Sequence, residues 1–122
     1  VVDPVLNKIL SKSYNQNRKK NNPCAHAEIE SILKACKILK KPRLDGLDLY
    51  TSLEPCLMCA SVIFQTKLKR VYFCIEDKNN GALINNYKLS FKTHLNHKLE
   101  VYYGFHQDKF YKILKKFFKL KR

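Results

Sequence analysis

Apolar positions recur along the chain with two different periods, and the elements follow the changes between them. Val1 and Val2, followed by Asp3-Pro4, read as the end of a strand and a turn. Residues 5–13 read as a short strand. Residues 14–22 (YNQNRKKNN) have no apolar period and read as a basic surface loop. Pro23 suits a helix start, and Ile29, Ile32, Leu33 and Cys36 follow at i, i+3, i+4 and i+7, predicting a helix from about 25 to 39. Residues 40–46 break it. A buried strand is expected at 47–52, and Pro55 opens a second helix running to about 65. The run RVYFCI at 70–75 is a strand by its β-branched and aromatic content. Asn79-Asn80-Gly81 marks a turn within 77–86, and a fifth strand is expected at 99–105. The last helix carries Phe110, Ile113, Leu114 and Phe117 on one face, with Lys109, Lys112, Lys115, Lys116 and Lys119 on and around the other. Helices alternating with strands predict an α/β domain, a mixed sheet covered by helices.

Length and composition narrow this. The chain's 122 residues fit one domain, 1–122, and 45% hydrophobic residues argue against global disorder. The longest stretch without a charged residue, 55–66, falls well short of the roughly 20 apolar residues that cross a bilayer. No signal segment opens the chain. A soluble, cytoplasmic protein with no membrane partner is expected. Twenty-four basic against 10 acidic side chains give a net charge of +14, which points toward polyanions such as nucleic acid. The excess is nearly all lysine and is accompanied by many asparagines, so a compositional bias would produce the same figure. Five cysteines, an odd number, suit metal ligation or buried thiols better than a disulfide framework.

Two short motifs carry candidate chemistry. Cys56 and Cys59 are three apart at a helix start, so both sulfurs point from the first turn toward one spot. The helix N-terminus there favours thiolates. Adding His26 makes a Cys2His set that leaves a fourth tetrahedral position open, the arrangement of a catalytic rather than a structural zinc. Glu28, two residues after His26, is placed to reach back past its helix end and act as a proton shuttle without ligating the metal. Other readings stay open. C-x-x-C alone also suits a redox pair, although the chain has no tryptophan to accompany one, and Cys24 could complete a structural zinc site. Cys36 and Cys74 read as buried small hydrophobes.

With His26-Ala27-Glu28-Ile29 and Leu53-Glu54-Pro55-Cys56-Leu57-Met58-Cys59-Ala60 in place, the chain resembles the zinc-dependent cytidine/deoxycytidylate deaminase-like superfamily. Within it, the resemblance is to the bacterial tRNA-specific adenosine deaminases of the TadA type, over essentially the whole chain. It implies a three-layer α-β-α fold around a central mixed five-stranded sheet, and one Zn2+ per chain on His26, Cys56 and Cys59. It also implies Glu28 as the catalytic proton carrier. Asn15, Ala27, Asp77 and Phe118 fall where that family contacts its substrate, and Leu95-Asn96-His97 also fits its pattern. His94, His97 and His106 read by default as ordinary surface or core histidines, with a place at the rim of the site as the alternative for His97. The substrate implied is the wobble adenosine of a tRNA anticodon stem-loop, converted hydrolytically to inosine by a homodimer. Against the family's pattern the chain lacks a first helix and part of the first strand, so it reads as N-terminally truncated. It also carries Asn22-Pro23-Cys24, Ser13-Tyr14 and Ser61 where other residues are usual. The alternative within the fold is a deaminase of free cytidine, deoxycytidylate or guanine. A non-catalytic zinc-folded binding module is the alternative from another class.

Overall fold

The computed structural model describes residues 1–121, apart from the side chains of Phe118, Leu120 and Lys121. Strand β1 (Val2–Asp3) turns into β2 (Lys8–Ile9) and is followed by helix α1 (Ala27–Leu39) and strand β3 (Asp48–Leu53). Helix α2 (Leu57–Gln65), strand β4 (Arg70–Ile75), a 3-10 turn (Leu89–Phe91), strand β5 (Glu100–Tyr103) and helix α3 (Gln107–Lys121) complete the chain. The sheet order is β2-β1-β3-β4-β5, with β1 antiparallel to both its neighbours and β3, β4 and β5 parallel. This is the mixed five-stranded sheet that the alternating pattern predicts.

Alternation along the parallel strands creates two different faces. Leu49, Val71 and Phe73 point to one side, where Ile32 and Ala35 of α1 and Ala60 and Ile63 of α2 bury them completely or nearly so. Tyr50, Tyr72 and Tyr102 lie opposite one another in register on the other side. Their rings stack at 4.5 and 5.2 Å between centroids. Helix α3 follows β5 onto this second face, where Phe105 and Phe110 border a groove with Tyr50 and Tyr72. The layers are therefore α1 and α2, the sheet, and α3. At the start of the strands Asp48 is 2% exposed and accepts a hydrogen bond from Arg70 Nε at 2.9 Å, pinning the β3–β4 register.

Two elements are shorter than their sequence suggests. The expected strand at 5–13 contracts to Lys8–Ile9. Asp3 Oδ1 accepts the N–H groups of Val5 and Leu6 at 3.0 and 3.1 Å, and Asn7 takes a left-handed conformation, so the apolar Val5 and Leu6 sit exposed in a turn. The fifth strand ends at Tyr103 because Gly104, at φ 93°, turns the chain away from β-structure. Cys36 and Cys74 are half-buried rather than buried.

Candidate active site

Both helices of the first layer begin at the carboxyl end of β3. A helix that precedes or follows a strand antiparallel to it must place its N-terminus there, so the topology brings two positive helix ends to one point. His26 is the N-cap of α1 and Cys56 the N-cap of α2, both in extended backbone. Neither side chain caps its own helix. Instead His26 Nδ1 lies 3.7 Å from Cys56 Sγ and 3.5 Å from Cys59 Sγ.

The ligand-type atoms of these three residues all lie within 4.8 Å of one another, the one such cluster among the described residues. Zinc–sulfur and zinc–nitrogen bonds at a tetrahedral angle would separate nitrogen from sulfur by about 3.6 Å. The distances fit that spacing, and two thiols with an imidazole are a donor set suited to zinc. Cys59 is fully buried, and burial, followed by the negative charge of Glu28 and the neighbouring Cys56, pushes its thiol far above the ordinary range. A buried thiol beside a carboxylate becomes a stable thiolate only with a cation in the cluster. Both sulfurs face the same His26 nitrogen, with Glu28 beside Cys59, which favours the metal reading over a redox pair.

Glu28, in the first turn of α1, comes next to this cluster. Its Oε2 lies 3.7 Å from Cys59 Sγ, and its Oε1 accepts a hydrogen bond from the Thr51 hydroxyl at 3.2 Å. Thr51 shares the helix-covered face of β3, which is how a strand residue steadies a carboxylate on the neighbouring helix. The cluster opens into a groove of about 480 Å³, walled by Glu28, Leu57, Asp77, Asn79, Asn80 and Tyr87. Glu54 also lines it, although its carboxylate is occupied elsewhere.

The remaining expected substrate contacts scatter. Asp77 borders the groove, with Oδ1 accepting the N–H groups of Asn79 and Asn80 at 3.0 Å each, so it also shapes the turn there. Asn15 is exposed, its side chain accepts the Asn17 N–H at 3.1 Å, and it does not line the groove. Ala27 lines a separate cavity of about 520 Å³, to which Glu28 also contributes. The side chain of Phe118 lies outside the described residues. Cys24 is exposed and not part of the cluster. His97 packs edge-on against Phe64 and directs Nε2 at the Leu68 carbonyl, at the far end of α2 rather than at the rim. Thr51, Asn85 and the anchoring role of Glu54 were not anticipated. For Glu54 the signal was present, a carboxylate set between Leu53 and Pro55 in an apolar stretch.

Comparison with known proteins agrees with this geometry. The MafB19-like deaminase family matches residues 2–122. A protein of Rickettsia bellii named tRNA-specific adenosine deaminase is 39% identical over 119 residues, covering 98% of this chain and 82% of its own length. A solved structure from work on A-to-I editing by tRNA:A34 deaminases superposes with a TM-score of 0.86 at 34% identity, over 93% of this chain and 80% of that one. The guanine deaminase structure from Bacillus subtilis is more distant, with a TM-score of 0.61 at 30% identity, over 94% and 74% of the two chains.

Proposed function

We propose that this chain, which belongs to the MafB19-like deaminase family, is a tRNA-specific adenosine deaminase that converts the wobble adenosine of an anticodon loop to inosine. The observation that carries the reading is the His26, Cys56 and Cys59 cluster with the Glu28 carboxylate beside it at the head of an open groove. Identity sustained over nearly the whole chain and closer superposition favour adenosine in tRNA over guanine, and the net charge of +14 suits a polyanionic substrate.

The three clustered side chains would hold one Zn2+. When bound, the metal supplies Lewis-acid activation of a water, bringing its pKa near neutrality. The chain's own residues do the rest. Thr51 holds Glu28 Oε1 in place, which leaves the other carboxylate oxygen directed at the cluster. That oxygen takes a proton from the attacking water and gives it to adenine N1, then takes the second proton from the hydroxyl formed on C6 and gives it to the departing 6-amino nitrogen. Adenosine and water become inosine and ammonia, and Glu28 returns to its starting state. The groove admits a base out of its stack. A loop nucleotide reaches that state at low cost, so single-stranded RNA is the favoured target. A cytoplasmic location belongs to this reading, supported by its relatives' tRNA substrate, and homodimerisation is what the family resemblance implies. Among the described residues no helix is long and apolar enough to cross a membrane.

The test is incubation of zinc-loaded protein with an anticodon stem-loop carrying a wobble adenosine, and separately with free adenosine, guanine, cytidine and deoxycytidylate. Nucleoside mass spectrometry reads the products. Inosine from the stem-loop alone is expected. Xanthine from guanine, or uridine from cytidine, would transfer the chain to the small-molecule deaminases.

A further inference from the structure

The chemistry above employs Glu28 and leaves the second carboxylate of the groove unexplained. Glu54 is 2% exposed and stands two residues before Cys56. Among the described residues no cation pairs with it; five N–H groups converge on it instead. Its Oε2 accepts the backbone N–H groups of Leu83, Ile84 and Asn85 at 3.1, 3.0 and 3.1 Å. Its Oε1 accepts the Asp77 N–H at 3.2 Å and Asn85 Nδ2 at 2.6 Å. Three consecutive backbone N–H groups turned to one point form a concave nest that fits an anion.

The loop is shaped around that carboxylate. A Cβ at Gly81 would overlap Glu54 Cδ and the Asp77 carbonyl oxygen, so only glycine lets the loop close this tightly. Ala82 donates its N–H to the Pro55 carbonyl at 3.0 Å, and Gly81 forms a β-bridge with Cys56. Residues 77–86 are thus fastened to the same short segment that presents Cys56. They also supply Asp77, Asn79, Asn80 and Asn86 to the groove wall.

The geometry points to Glu54 as a positioning residue whose buried carboxylate latches the 77–86 loop onto the Cys56 segment and thereby sets the wall that receives the target nucleotide. This rests on the deaminase reading for its kinetic consequence, although the latch itself does not. An apolar side chain of similar size would leave four backbone donors without this acceptor and Asn85 Nδ2 with Glu76 Oε1 alone, at 3.3 Å. An amide would turn an NH2 toward donors on one side. Ala82 and Leu83 are anchored separately in the apolar core, so the expected effect is a loosening of the polar half of the loop.

The test compares wild type, Glu54→Gln and Asn85→Ala as zinc-loaded full chains, by zinc content, hydrogen exchange of a peptide spanning 77–86, and steady-state kinetics on the stem-loop. Both variants are expected to keep about one zinc per chain. In Glu54→Gln the loop amides exchange about tenfold faster or more. KM rises about tenfold, with kcat within about threefold. Asn85→Ala removes one of the five donors, and moves the same quantities in the same direction by about threefold; it carries the test should Glu54→Gln fail to fold. Unchanged loop exchange in Glu54→Gln would overturn the latch, as would loss of zinc with the loop still protected. A fall in kcat with KM unchanged would overturn the positioning role. If the wild type does not turn over the stem-loop, the adenosine reading fails by itself, and loop exchange still decides the latch.

Discussion

Glu28 and Glu54 line one groove, yet Glu28 has a hydroxyl and a thiol for partners while Glu54 is enclosed by five N–H groups. The two walls differ accordingly. On the α1 side a half-buried carboxylate keeps spare lone pairs next to the metal-type ligands, and spare lone pairs are what proton transfer requires. On the 77–86 side four backbone N–H groups and the Asn85 amide take up the carboxylate, which becomes part of the architecture. Residue type alone does not separate a reagent from a fastener. The number of donors brought to it does.

The largest effect is expected at the unsaturated carboxylate. Glu28→Ala should lower turnover by about 10³-fold while retaining one zinc per chain, checked by single-turnover kinetics beside metal analysis. Zinc lost with activity would make Glu28 a ligand and erase the contrast between the walls.

Next in size are the ligands. His26→Ala and Cys56→Ala should each weaken zinc binding by at least about 100-fold and lower Tm together with metal content, read by chelator competition and thermal melts. Full zinc affinity in both variants would move the metal elsewhere.

A pH experiment sharpens the point further. Burial and the negative charge of Glu28 push the Cys59 thiol up, so the folded, metal-free protein holds that proton more tightly than the unfolded chain does. This contribution to stability is complete below the ordinary thiol pKa of about 8.5 and drains as pH rises above it, by up to about 1.4 kcal/mol per pH unit. Metal-free protein should therefore lose Tm between pH 7 and 9.5 faster than zinc-loaded protein. Parallel curves would mean that Cys59 does not change its proton on metal binding.

The smallest effect belongs to the residue that steadies Glu28. Thr51→Val preserves shape and removes one hydroxyl, and kcat should fall about fivefold with KM unchanged, the worth of a net hydrogen bond near 1 kcal/mol. A change in KM instead would place Thr51 among the substrate contacts.

Much of this was legible in the sequence, for reasons that differ by residue. Helix α1 was readable because Ile29, Ile32 and Cys36 keep a strict helical period, and β4 because RVYFCI alternates between two faces. The metal-type cluster was readable because its histidine and its cysteine pair each stand at a helix start, where neighbours in sequence are neighbours in space. The strand expected at 5–13 failed because a single carboxylate, Asp3, competes for the N–H groups that a strand would have used. Glu54 stood out as a carboxylate in an apolar stretch, but what it binds could not be read from that. Its partners lie 23 to 31 residues downstream, and no local pattern encodes a loop folding back over that distance.

The tyrosines on the opposite face carry a practical consequence. Tyr50 and Tyr72 stack 4.5 Å apart with their rings nearly parallel, Tyr72 and Tyr102 follow at 5.2 Å, and the chain contains no tryptophan. Coupled phenol chromophores held this rigidly should give a near-ultraviolet circular dichroism band of their own, unmasked by indole absorption. Such a band disappears when fixed side-chain packing is lost, even while helices persist. The protein therefore contains an optical gauge of its sheet, on the face away from the groove, against which damage confined to the deaminase site can be told from collapse of the whole domain.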